Sequence, residues 1–103
     1  MTPREYRKYS EELRANGYQY KENCPYEGCN LWLKEFPDDC AHIEMNVYRN
    51  IGLDGEEFVN INPRAIVQLK DVECEGKLIL RFRTTNIIDV ESMFDKYLRR
   101  LKD

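Results

Sequence analysis

The run Gly76-Lys77-Leu78-Ile79-Leu80-Arg81-Phe82-Arg83 constrains this chain more than any other stretch. Leu78, Leu80 and Phe82 alternate with Lys77, Ile79, Arg81 and Arg83, the period of two of a strand with one buried face. Such a strand cannot stand alone. Its apolar face needs a cover and its edges need neighbours. Further alternating runs offer the neighbours, and one amphipathic helix at each end offers the cover.

The first helix is announced at Thr2-Pro3-Arg4-Glu5. Thr2 predicts the N-cap, Pro3 the first helical position, and Glu5 the reciprocal partner of a capping box. Tyr6, Tyr9 and Leu13 give a narrow apolar stripe, with Arg4, Arg7, Lys8, Glu11 and Glu12 on the solvent side. Asn16-Gly17 ends the helix, Gly17 being suited to the left-handed cap. Tyr18 to Glu22 reads as a short strand, residues 24–29 as a turn, and Leu31 to Phe36 as the returning strand. Pro37-Asp38-Asp39 breaks it. Ala41, Ile43, Met45 and Val47 then alternate with His42, Glu44, Asn46 and Tyr48. A strand fits that alternation better than a helix begun at Pro37.

Asp54-Gly55 is a hairpin signal. Phe58 to Ile61 reads as a short strand ended by Asn62-Pro63, and Ala65 to Val72 as another, before Glu75-Gly76 turns the chain again. Asp89 is placed to cap the last helix, with Ile88 and Met93 as a hydrophobic staple. Val90, Phe94, Tyr97 and Leu101, joined by Met93 and Leu98, form its apolar face, and Arg99, Arg100 and Lys102 complement its C-terminal dipole. The expectation is one α+β domain over residues 1–103. It has an antiparallel meander of five to six strands, with the N-terminal and C-terminal helices packed on it. Leu80, Phe82, Phe94 and Leu101 are expected to be buried together.

Hydrophobic residues make up 42% of the chain and charged residues 34%, a balance that fits a folded domain and not a disordered one. The formal net charge of −3 argues against direct nucleic-acid binding and against anionic membranes, both of which usually require a basic excess. No apolar run reaches the length of a membrane span. The polar start at Met1 does not read as a signal peptide, so the four cysteines are expected to be reduced thiols in a cytoplasm.

Cys24-Pro25-Tyr26-Glu27-Gly28-Cys29 resembles the opening of a zinc finger, and His42 follows Cys29 after twelve residues,. A second histidine is missing: Asn46, Val47 and Tyr48 stand where it would fall. Cys24, Cys29, Cys40 and His42 form an alternative zinc set, giving a zinc-stabilised nucleic-acid-binding domain as the second reading. Against it, Cys24 and Cys29 belong to the turn end of a hairpin and Cys40 to the opposite end. A nucleophilic Cys24 or Cys29 with His42 as base would need an orienting group and an oxyanion hole that no motif marks. The glycines are scattered among turns and build no phosphate loop. The expectation is therefore a non-catalytic domain without a cofactor.

Acidic turns stand out instead. Alternate turns of a meander share one end, so Asp54, Glu56 and Glu57 are expected to join Asp71, Glu73 and Glu75 in a negative pole. Such a pole would meet a basic protein partner. The chain also resembles small accessory proteins of phages and mobile elements. The resemblance is carried by Glu12-Leu13-Arg14-Ala15-Asn16-Gly17-Tyr18, Leu31-Trp32-Leu33-Lys34-Glu35-Phe36, Ile43-Glu44-Met45-Asn46-Val47-Tyr48 and Phe94-Asp95-Lys96-Tyr97-Leu98. It implies an inhibitor, of the anti-CRISPR kind, that occupies the basic nucleic-acid surface of a host enzyme.

Overall fold

The computed structural model describes residues 1–22, 29–69 and 76–102, with the backbone alone for Cys29 and Lys102. The described residues form α1 (Pro3–Ala15), β1 (Gln19–Lys21), β2 (Cys29–Phe36), a 3-10 turn (Pro37–Asp39), β3 (Ala41–Ile51), β4 (Glu57–Leu69), β5 (Gly76–Arg81) and α2 (Ile87–Lys102). The strands pair antiparallel in the order β1-β2-β3-β4-β5. An N-terminal and a C-terminal helix on a five-stranded antiparallel sheet is the expected α+β arrangement.

The ends of α1 follow the local signals. Thr2 Oγ1 accepts from the Glu5 N–H and the Glu5 carboxylate accepts from the Thr2 N–H, both at 3.1 Å, which closes the capping box. Gly17 takes a left-handed φ of +89° directly after the Asn16 cap. The start of α2 departs from expectation. Asn86, not Asp89, is its cap: Asn86 Oδ1 accepts from the Asp89 N–H at 3.0 Å. Asp89 thus lies in the first turn, where its charge suits the helix dipole. Ile88 and Met93 are exposed, so no staple forms between them.

Strand periodicity decides which side chains are covered. Trp32, Ile43, Met45, Val47, Val59, Ile61, Ala65 and Val67 share one buried cluster with Tyr9 and Leu13 of α1, Tyr18, and Ile87, Val90, Phe94 and Leu98 of α2. Leu78, Leu80 and Phe82 pack against it, partly buried. Leu101 does not join them. It is 45% exposed, in the last turn of α2 beside Cys40 and Leu69 at the end of the sheet.

The largest difference lies in β4. The expected break at Asn62-Pro63 is absent, and residues 57–69 form one continuous strand. Proline in a sheet is tolerated where its missing N–H faces an unpaired edge. The Pro63 carbonyl accepts from Phe82 N–H at 3.1 Å, and residues of a strand present N and O to the same side. Its nitrogen therefore points toward β5, one residue past the last β4–β5 pair, Arg64 with Arg81. The reciprocal bond to the Phe82 carbonyl cannot form at proline, and the pairing with β5 ends there,. Further along the same edge, Val59 N–H donates to the Met1 carbonyl at 2.7 Å and the Met1 nitrogen donates to the Val59 carbonyl at 2.8 Å.

Candidate functional site

A continuous β4 makes a long hairpin. β3 and β4 remain paired to Ile51 with Glu57, whereas β2 leaves β3 at Tyr48 and β5 leaves β4 at Arg64. The distal segment, Arg49 to Phe58, therefore reaches beyond the described flanking strands. Its loop is Leu53-Asp54-Gly55. The Gly52 N–H donates to the Glu56 carbonyl at 2.8 Å, and the Gly55 N–H donates to the Gly52 carbonyl at 2.9 Å. Gly55 has φ +81°. This is a three-residue connection, a turn followed by a left-handed glycine, and not the two-residue Asp-Gly turn. Asp54 Oδ1 also accepts from the Glu56 N–H at 3.1 Å, the local side-chain bond that favours Asp in turns. Nothing lies within 4 Å of a Cβ built on Gly55, so Gly55→Ala meets only backbone strain. A loss of about 1–2 kcal/mol is expected, to be read from urea denaturation; an unchanged midpoint would contradict this loop geometry.

This loop holds its apolar residue in water. Leu53 is fully exposed (relative area 112%) and Ile51 is 77% exposed. Asp54 and Glu56 are exposed beside them. Glu57 at the base faces Arg49 Nη1 at 3.8 Å, both half-exposed, a pair that contributes about 0–1 kcal/mol. Two large aliphatic side chains with carboxylates beside them at a hairpin tip serve no internal packing. Exposed apolar groups with a polar rim are the composition of a contact surface.

Of the six acidic residues expected to form one pole, the structure places Asp54, Glu56 and Glu57 together. Asp71, Glu73 and Glu75 lie outside the described residues. The break at Asn62-Pro63 on which their grouping rested is absent. Leu69 and Gly76, the described residues that flank them, pair at the end of β4 opposite Glu57, about 40 Å away for an extended strand of this length. Ile51 and Leu53 are not among the residues that the charge pattern of the sequence marks. The available signal was two aliphatic residues inside Ile51-Gly52-Leu53-Asp54-Gly55, where turn chemistry calls for polar residues.

The described members of the zinc set are not brought together. Cys24 lies outside the described residues. Cys29 pairs with Tyr48 at one end of β2, while Phe36 pairs with Ala41 at the other, putting the Cys29 backbone about 20 Å or more from Cys40. His42 Nε2 instead lies 3.7 Å from Glu44 Oε1. Among the described residues no group of three or more His, Cys, Asp or Glu side chains is placed to hold a metal ion.

Two other surfaces are shaped enough to consider. The sheet face away from the helices carries Glu44, buried although it lies on the uncovered side. Arg64 donates to both its oxygens, through Nε at 2.8 Å and Nη2 at 3.2 Å. This fork-to-carboxylate bond fixes β3 to β4 and leaves little unpaired charge there. The other surface is a cleft of about 420 Å³ between α1 and the sheet, lined by Tyr6, Arg7, Arg14, Tyr20, Trp32 and Arg49 among others. Among the described residues no helix is long and apolar enough to cross a membrane. Comparisons of the chain with protein-family models, with curated proteins and with solved structures give no match.

Proposed function

We propose that this chain is a non-catalytic protein-binding module that docks through the β3–β4 hairpin. The observation that carries the reading is the exposure of Leu53 and Ile51 beside Asp54 and Glu56. A matching partner offers an apolar recess ringed by cations. Leu53 and Ile51 would fill the recess, and burying an aliphatic side chain there contributes about 1.5–3 kcal/mol each. The carboxylates would speed and orient the encounter, an effect screened over about 8 Å at physiological ionic strength. The basic nucleic-acid surface of a host enzyme has this chemistry, so the inhibitor reading implied by the phage-protein resemblance takes its sharper form here. In that form the contact rests on Asp54, Glu56 and Glu57, reinforced by aliphatic anchors, and not on six carboxylates at one pole.

The test is site-specific. A photo-crosslinking amino acid replaces Leu53 in one sample and the exposed Lys77 of β5 in another, and both are irradiated in extract from the native host. The reading expects one protein captured from position 53 and not from 77. Capture should weaken with salt and disappear when Asp54 and Glu56 are both changed to Lys or Ile51 to Asp. Equal capture at the two positions, or capture indifferent to these substitutions, would remove the hairpin from the account.

A further inference from the structure

The cleft between α1 and the sheet has features that the hairpin reading does not use. Three guanidinium groups converge on it: Arg7 and Arg14 from α1, Arg49 from β3. Arg7 and Arg14 are seven residues apart, two helical turns, and so present from the same side of α1. Two of the three are already held. Arg14 lies over the Trp32 ring at 5.4 Å from its centroid, and Arg49 over the Tyr6 ring at 5.7 Å. The rings are fixed in turn: Trp32 Nε1 donates to Tyr6 Oη at 3.0 Å. Tyr20 leans on Trp32, with ring centroids 5.1 Å apart and planes tilted by 54°, and remains 36% exposed. Arg7 has no ion pair or ring contact among the described residues.

The acids in the lining are Glu11 and Glu57. Glu57 is the one near Arg49, and three cations outnumber the two carboxylates. In a chain of net charge −3, a positive recess with an aromatic wall is a local reversal of sign. Its volume of about 420 Å³ falls within the roughly 300–1,000 Å³ common for small-ligand sites. Guanidinium forks match the oxygens of a phosphate, and arginines held against rings lose little freedom on binding. Tyr20 offers a ring face beside them.

We infer that this cleft binds a phosphate monoester whose molecule also bears a planar ring, the ring against Tyr20 and the phosphate among Arg7, Arg14 and Arg49. Two sources share that chemistry, a phosphotyrosine side chain and a nucleoside monophosphate. Trp32, the sole tryptophan of the chain, lies in the lining and reports occupancy by its fluorescence. The full chain is titrated with N-acetyl-phosphotyrosine amide, with each of the four common ribonucleoside monophosphates, and with tyrosine amide and nucleosides lacking the phosphate. At least one phosphorylated ligand should produce a saturable change in emission, at least about tenfold tighter than its unphosphorylated form, because hydrogen bonds to charged groups are involved. Whichever arm saturates at the lower concentration names the source. Arg7→Gln and Arg49→Gln, whose side chains are outside the core, should each weaken binding about tenfold or more with an unchanged melting temperature. Saturation by no phosphorylated ligand, equal binding of the unphosphorylated ring, or unchanged affinity in both arginine variants would overturn the assignment. None of these outcomes bears on the hairpin, which is tested by crosslinking.

Discussion

Phe94→Ala is expected to lower the unfolding free energy by about 3–5 kcal/mol, while Leu101→Ala, seven residues further along the same helix, changes it by about 0.5 kcal/mol or less. Phe94 is 2% exposed, and its ring meets that of Phe36 with centroids 4.9 Å apart and planes tilted by 54°. Removing it opens a void where α2 crosses β2, and two aromatic partners lose a contact that contributes about 0.5–1.5 kcal/mol beyond area. Domains of this kind are stable by about 5–15 kcal/mol in all, so the variant keeps a fold only narrowly. With a urea slope of about 1–3 kcal/mol per molar, its midpoint should fall by about 1 M or more. An unchanged midpoint would mean that α2 does not dock on this face. Similar losses at Phe94 and Leu101 would mean that the helix is rotated or shifted so that its last turn is covered too.

The contrast between these two residues shows what was legible in the sequence. Period-two alternation in Leu78-Leu80-Phe82 and in Ala41 to Val47 assigned both strands and their buried faces, because burial and strand geometry share one repeat. The helical stripe of α2 was legible as well. Where that stripe runs off its support was not, since helix spacing says nothing about the length of the sheet beneath it. Ile87, Val90, Phe94 and Leu98 are the residues that meet the sheet, and Leu101 continues the pattern beyond the point where burial is complete.

Pro63 illustrates a second limit. A proline in a strand pattern is read as a break because it lacks a donor. Whether that donor was needed depends on where β5 ends, a matter of register between residues 19 apart in sequence. The expected grouping of Asp54, Glu56 and Glu57 with Asp71, Glu73 and Glu75 rested on reading two strands in place of one. The candidate site was thus legible in its charges, Asp54, Glu56 and Glu57, and illegible in its anchors. Ile51 and Leu53 become meaningful only when the hairpin is known to outrun its neighbours. The arginine cleft was hidden for the same reason: Arg7, Arg14 and Arg49 are ordinary surface residues until α1 is laid on the sheet.

High pH should unfold the protein steeply, and two tyrosines should account for the slope. Tyr9 and Tyr18 are 9% and 3% exposed. Burial comes first among the causes that push both phenols well above the ordinary range near 10, with Glu12 adding to it for Tyr9 and Glu91 for Tyr18. Each phenol also donates a hydrogen bond that only its neutral form can make, Tyr9 to the Thr85 carbonyl at 2.6 Å and Tyr18 to Glu91 Oε1 at 3.0 Å. In the unfolded chain both titrate near pH 10. Below that pH the two states hold these protons equally, and stability does not depend on them. Above it the unfolded state has released protons that the folded state retains, so stability falls as pH rises, by about 1.4 kcal/mol per unit for each tyrosine. Together they should remove about 3 kcal/mol between pH 10 and 11.5. The double variant Tyr9→Phe, Tyr18→Phe isolates this from the other groups that titrate in the same range. It forgoes two hydrogen bonds, a cost of about 2 kcal/mol that does not change with pH, while Glu91 keeps its bond to Lys34 Nζ at 2.8 Å. The variant should therefore be the less stable protein at pH 8 and the more stable one at pH 11.5, with the two urea-derived curves crossing between. Parallel curves over that interval would show that the two phenols ionise as readily in the folded protein as in the unfolded chain, and that their burial between α1, β1 and α2 is not as described.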